Sequence, residues 1–125
     1  MFDHITFRVK DIEKTKDFYS KALAPIGYKL CFEQVYGDIK VIGLSHEDGS
    51  DIWFSADKPA SGPAHIAWRV NSTAEVDAFY EAAIAAGGKD NGKPGKREVY
   101  HPKYYGAFVI DPDGHNIEAV FHEAE

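Results

Sequence analysis

The chain has 125 residues, 44% of them hydrophobic and 14% aromatic, with a formal net charge of -6. That is the length of one domain with enough apolar side chains for a core, which excludes intrinsic disorder. The acidic balance gives no support to nucleic-acid binding, no apolar run approaches the ~20 residues of a membrane helix, and a single cysteine excludes an intrachain disulfide.

In chain order, Phe2 to Val9 alternates as a strand and begins without signal-peptide anatomy, so a soluble cytoplasmic protein is the default expectation. Asp11 is a helix N-cap, and the helix is expected to run to about Leu23, where Pro25 and Gly27 stop it. Tyr28 to Val35 and Ile39 to His46 read as strands, and Cys31, in the apolar run Tyr28 to Phe32, as a small core residue. Asp48-Gly49 is a hairpin turn leading into a strand from Asp51 to Ser55. Residues 57–63, rich in Pro, Ser and Gly, form a linker. A second strand of the first kind follows at Ala64 to Val70, then a capping box of Ser72 and Glu75 and a helix to about Ala86. The stretch from Lys89 to Lys96, rich in Gly, Lys and Pro, reads as a solvated loop. Tyr104 to Ile110, the turn Asp111-Pro112-Asp113-Gly114, and His115 to His122 form a final hairpin.

The chain repeats itself. Asp3-His4-Ile5-Thr6-Phe7-Arg8-Val9 is echoed 61 residues on by Ala64-His65-Ile66-Ala67-Trp68-Arg69-Val70, and Phe18-Tyr19, Ala22 and Gly27 by Phe79-Tyr80, Ala83 and Gly88. Asp48-Gly49 returns 65 residues on as Asp113-Gly114, so the second half carries a four-residue surplus after its helix. A fixed offset in corresponding elements marks a duplication. The expected fold is therefore α+β: tandem βαβββ modules, 1–56 and 64–125, forming one domain with a curved sheet around a cleft.

Alternation assigns faces. Ile5, Phe7 and Val9 suit packing under a helix, as do Ile66, Trp68 and Val70, which turns His4, Thr6 and Arg8, and His65, Ala67 and Arg69, to the opposite side. In the last strand Glu118 opposes Ile117, Ala119 and Phe121. A lone strand histidine is usually a satisfied polar residue, but two at one position of a duplication, with a carboxylate among apolar neighbours, make a metal-ligand set. Two imidazoles and one carboxylate suit one divalent ion, Fe2+, Mn2+, Ni2+ or Zn2+, with positions left for water or substrate. Arg8 or Arg69 is the competing partner for Glu118, although each lies four residues past its histidine, roughly 13 Å along a strand.

Further candidates flank this set. His101 is a loop histidine able to move protons if it overhangs the cleft. One of Tyr104 and Tyr105 must face the interior, and Tyr105 is preferred as a proton mover, with Tyr104 as a substrate contact. Arg8 and Arg69 are candidates for an anionic group of the substrate.

Taken together, the two histidine strands and the segment Phe108-Val109-Ile110-Asp111-Pro112-Asp113-Gly114-His115-Asn116-Ile117-Glu118 resemble the vicinal oxygen chelate superfamily, the glyoxalase, bleomycin-resistance and extradiol-dioxygenase group, over essentially the whole chain. The resemblance implies paired βαβββ modules enclosing a metal in a cleft, a homodimer, and a small-molecule substrate chelating the ion through two neighbouring oxygens. It carries the ligand role onto His4, His65 and Glu118. One departure stands out: Trp53 occupies the place that pairs with Glu118, where four-ligand members bind metal, and tryptophan cannot ligate. That disfavours glyoxalase I activity and leaves Trp53 as a cleft wall, stacking on a ligand or packing as core. The expected function is a metal-dependent enzyme of dioxygenase or lyase/transferase type. The alternative is a non-catalytic drug- or metabolite-binding protein of the bleomycin-resistance kind.

Overall fold

A computed structural model describes residues 3–56 and 64–123. Each half is a βαβββ module. The first comprises β1 (His4–Arg8), α1 (Ile12–Ala22), a 3-10 turn (Ala24–Ile26), β2 (Lys29–Tyr36), β3 (Ile39–Ser45) and β4 (Asp51–Ser55). The second comprises β5 (His65–Arg69), α2 (Thr73–Ala85), β6 (Lys89–Lys96), β7 (Tyr104–Ile110) and β8 (Asn116–His122). The expected linker lies outside the described residues. The strands form two four-stranded sheets of equivalent order, β1-β4-β3-β2 and β5-β8-β7-β6, each with one parallel pair, β1 with β4 and β5 with β8.

Local chemistry explains the helix limits. The Asp11 carboxylate accepts from the N–H groups of Glu13 and Lys14, both at 3.1 Å, and Ser72 Oγ accepts from Glu75 N at 3.1 Å. α2 ends in a Schellman pair: Gly87 N donates to Ile84 O at 3.1 Å and Gly88 N to Ala83 O at 2.9 Å, with Gly87 at φ 107°. A Cβ on Gly88 would stand 2.4 Å from Val109 Cγ1 and 2.9 Å from the Ala83 carbonyl oxygen. Gly88→Ala is therefore expected to cost about 1–3 kcal/mol by overpacking, read as a lowered urea midpoint; an unchanged midpoint would show that the entry to β6 yields freely.

One continuous core joins the modules, with Phe18, Tyr19, Leu23, Ile42, Leu44 and Phe54 from the first and Val76, Phe79, Ala83, Val109 and Ile117 from the second. α1 packs on α2 as well as on its own sheet. The expected helix-facing residues Val9, Trp68 and Val70 are buried, whereas Ile5, on edge strand β1, is 36% exposed. The opposite face of β1 and β5 is open: His4, Thr6, Arg8, His65, Ala67 and Arg69 are all exposed.

Two expectations require correction. The stretch from Lys89 to Lys96 is an edge strand, not a loop; its register shifts around Gly92 and again before Gly95 take up the surplus residues, and an edge position tolerates Pro94. Cys31 is exposed, because the β2–β3 register breaks between Leu30 and Phe32 and turns its thiol toward Ser45 Oγ at 2.7 Å.

The β7–β8 turn docks on the first module. The buried Asp111 carboxylate accepts from the Tyr19 hydroxyl, from Asp113 N at 2.9 Å and from His115 N at 2.8 Å. Asp113 accepts from Lys10 N at 3.1 Å, and the His115 ring lies 5.8 Å from that of Phe7. Burial, together with the neighbouring Asp111 carboxylate, holds the Tyr19 hydroxyl well above its ordinary pKa, so it remains a donor.

Candidate active site

The β7–β8 hairpin sets the centre of the site. Its register pairs Tyr104 with His122, Gly106 with Val120 and Phe108 with Glu118, so Tyr104, Gly106 and Phe108 share the face of Glu118. Glu118 is 1% exposed, an expensive place for a carboxylate unless its oxygens are met. Both are: His65 Nε2 stands 2.7 Å from Oε1, and the Tyr104 hydroxyl donates to Oε2. The parallel register sets Ala67 beside Glu118 and brings His65, two residues back on β5, within reach. Gly106 leaves the space; a Cβ there would lie 3.1 Å from Tyr104 Cε1 and 3.5 Å from Glu118 Oε2. Desolvation first, then the bond to Glu118, pushes the Tyr104 hydroxyl well above its ordinary pKa, so it stays protonated and donates. The His65 side chain remains 51% exposed and reaches toward the Phe108 ring, 6.2 Å away.

The first module repeats the layout with different chemistry. Thr6 pairs with Trp53 as Ala67 pairs with Glu118, so Trp53 is the structural equivalent of the carboxylate. Trp53 packs against Phe32 at 4.6 Å between ring centres and against His4 at 6.0 Å. Its indole Nε1 is buried without a partner among the described residues. His4 is half exposed and bonded to Asp3 at 2.7 Å. Among the described residues no three of His, Cys, Asp and Glu stand close enough to hold one ion, so within one chain His4 does not join His65 and Glu118.

The preference for Tyr105 is corrected. Its hydroxyl donates to Asp77 of α2 at 2.8 Å, on the helix side of the sheet, and Tyr104 takes the cleft side. His101 lies in an exposed turn, its Nδ1 accepting from Lys103 N at 3.1 Å; its ring is 6.2 Å from that of His122, which is 5.3 Å from that of Tyr104. Arg69 lines a cavity at the module junction. Arg8 lies at the end of β1, exposed. Phe32, Phe108 and Gly106 complete the open faces; sequence reasoning passed over them because apolar and glycine residues carry no ligating signal.

The family model described as the Glyoxalase/Bleomycin resistance protein/Dioxygenase superfamily matches residues 1–119. The chain belongs to that superfamily. Among solved structures, a glyoxalase/bleomycin resistance protein from Albidiferax ferrireducens T118 is similar at 26% identity and a TM-score of 0.79, covering 98% of this chain and 99% of that one. A glyoxalase-related enzyme from Fulvimarina pelagi shares the fold at 20% identity and TM-score 0.74, over 98% and 88%. Glyoxalase I from Zea mays shares it at 22% and TM-score 0.74, this chain covering 44% of the maize chain. No curated protein matches. Superfamily membership accounts for the duplicated βαβββ architecture, and the superfamily includes enzymes. Among the described residues no helix is long and apolar enough to cross a membrane.

Proposed function

We propose that the chain is a metal-dependent enzyme acting on a small molecule with two adjacent oxygens, in dioxygenase or lyase/transferase chemistry, and that it works as a homodimer in the cytoplasm. His65 and Glu118 would hold the ion with His4 supplied by a second copy. The observation that carries this reading is the pair of His65 and Glu118. Two donors each about 2.1 Å from one ion and near a right angle lie about 3 Å apart, close to the 2.7 Å separation here. The pair therefore fits adjacent ligands on Fe2+, Mn2+, Ni2+ or Zn2+. The exposed faces of β1 and β5 leave room for the copy that brings His4.

A bound ion would supply Lewis-acid polarisation of a substrate oxygen. The chain's own residues do the rest. Tyr104 keeps a proton on its hydroxyl and fixes Glu118 Oε2. Trp53, stacked on Phe32, walls the open face of the first sheet and excludes water. His101 at the rim is the candidate for moving a proton. The indole at position 53 supports a three-ligand centre and speaks against glyoxalase I chemistry.

A second reading, a non-catalytic small-molecule binder, is favoured by one observation: the Glu118 carboxylate is already satisfied by His65 and Tyr104. Metal analysis of protein purified without chelator, beside His65→Ala, separates the two. Stoichiometric metal in the native protein, lost in the variant, is expected. Metal-free samples of both would favour the binder.

A further inference from the structure

The two module junctions are equivalent by the internal repeat, yet only one is closed. At the closed one, Asp111 takes the Tyr19 hydroxyl, Asp113 takes Lys10 N, and the His115 ring fills the space beside Phe7. At the other, the residues at the equivalent places bond elsewhere. Tyr80, the counterpart of Tyr19, bonds Asp90. Asn71 N, the counterpart of Lys10 N, donates to Glu75 Oε1 at 3.3 Å. Asp48, the counterpart of Asp113, turns back to accept from Ser50 N and Ser50 Oγ at 2.9 and 2.7 Å. Ser50 itself stands where His115 would, two bonded atoms in place of an imidazole ring. A cavity of about 590 Å³ is left between the His46–Ser50 turn and the unpaired edge of β5.

The lining has a definite chemistry. Ile26, Tyr28, Trp68 and Val70 form apolar walls, each 5–8% exposed. The acids in it, Asp48 and Glu75, already accept hydrogen bonds. Arg69, also in the lining, has no hydrogen-bond or ion-pair partner among the described residues. The volume is that of a small-molecule pocket, and a planar, permanently charged guanidinium beside apolar walls matches a carboxylate carried on an apolar body.

We propose that this open junction is a binding site for a small apolar monocarboxylate, held by Arg69 with its body against Trp68 and Tyr28. The site stands whether or not the chain binds metal.

The chain contains only two tryptophans, Trp53 and Trp68, so two indole N–H signals report on two places. Titration of the full chain with 4-phenylbutyrate, followed by 1H–15N correlation spectra, is expected to shift the Trp68 indole saturably and leave Trp53 still. 4-Phenylbutylamine is expected to leave both unmoved. Arg69→Gln, at an exposed position, is expected to raise the Kd at least tenfold, and Ser50→His, which restores the ring found at the closed junction, to block binding. Equal binding of the amine, an unchanged Kd in Arg69→Gln, a shift confined to Trp53, or no saturable shift with millimolar carboxylate would each overturn the proposal. If Ser50→His fails to fold, Arg69→Gln and the amine decide it.

Discussion

Asp111→Ala is expected to lower the unfolding free energy by about 3 kcal/mol, the cost of stranding buried donors. Asp111 is 4% exposed, and its carboxylate meets three donors: the Tyr19 hydroxyl and the N–H groups of Asp113 and His115. Alanine leaves all three without an acceptor where water has little access. The loss falls on the contact that ties the second module's last hairpin to α1, so both halves of the core loosen together. Asp111→Asn keeps one oxygen for the two backbone donors and is expected to cost less than half as much. Tyr19→Phe removes one donor, leaves the carboxylate its two backbone partners, and is expected to cost about 1–2 kcal/mol. Urea denaturation of the four proteins gives the ranking. An alanine variant within 0.5 kcal/mol of the native protein, the ordinary range for surface changes, would mean the junction is not where cohesion resides.

The ranking matters because Asp111 belongs to the segment whose resemblance to the superfamily is most specific. In this structure the segment's first acid is an architectural residue and its last, Glu118, a chemical one. Most of the architecture was legible because duplication writes it twice: the caps at Asp11 and Ser72, the hairpin turn at Asp48-Gly49 and the histidine strands recur at a fixed offset. The misplacement of Tyr104 and Tyr105 has one cause. A four-residue turn, Asp111 to Gly114, would pair Ile110 with His115 and put Tyr105 on the face of Glu118. The observed register pairs Ile110 with Asn116, because His115 stays in the turn, its carbonyl taking Asp111 N and its own N–H going to the Asp111 carboxylate. A slip of one residue reverses every side chain on the strand. The residues from Lys89 to Lys96 misled for a different reason: glycine and proline signal a break in general, but an edge strand with bulges accommodates both. That His4 stands apart from His65 and Glu118 was beyond alternation altogether. Faces are local; which faces meet is decided by how modules, and copies, pack.

Glu118→Gln is expected to abolish metal-induced stabilisation while leaving the metal-free fold intact. In the native protein, an ion bound to the folded state alone raises stability by about 2.7 kcal/mol when its free concentration is a hundredfold above Kd. Glutamine has the shape of glutamate and keeps a carbonyl oxygen for the Tyr104 hydroxyl or for His65. The metal-free variant should therefore unfold within about 1 kcal/mol of the native chain, or above it, because a buried charge is gone. The charge is what a divalent ion needs, and its loss is expected to weaken metal affinity at least about a hundredfold, beyond what removal of an outer partner of a metal ligand costs. Thermal unfolding with and without added Mn2+ or Zn2+ reads both effects in one pair of curves. Tyr104→Phe supplies the control between them: it strips Glu118 of one donor without touching either ligand, so a weakening of up to about a hundredfold is expected and the metal-induced shift should shrink without vanishing. An undiminished shift in Glu118→Gln would remove the carboxylate from the ligand set. It would leave the buried contact with His65 and Tyr104 as a structural hydrogen-bond cluster, and the open sheet faces as a binding surface that needs no ion.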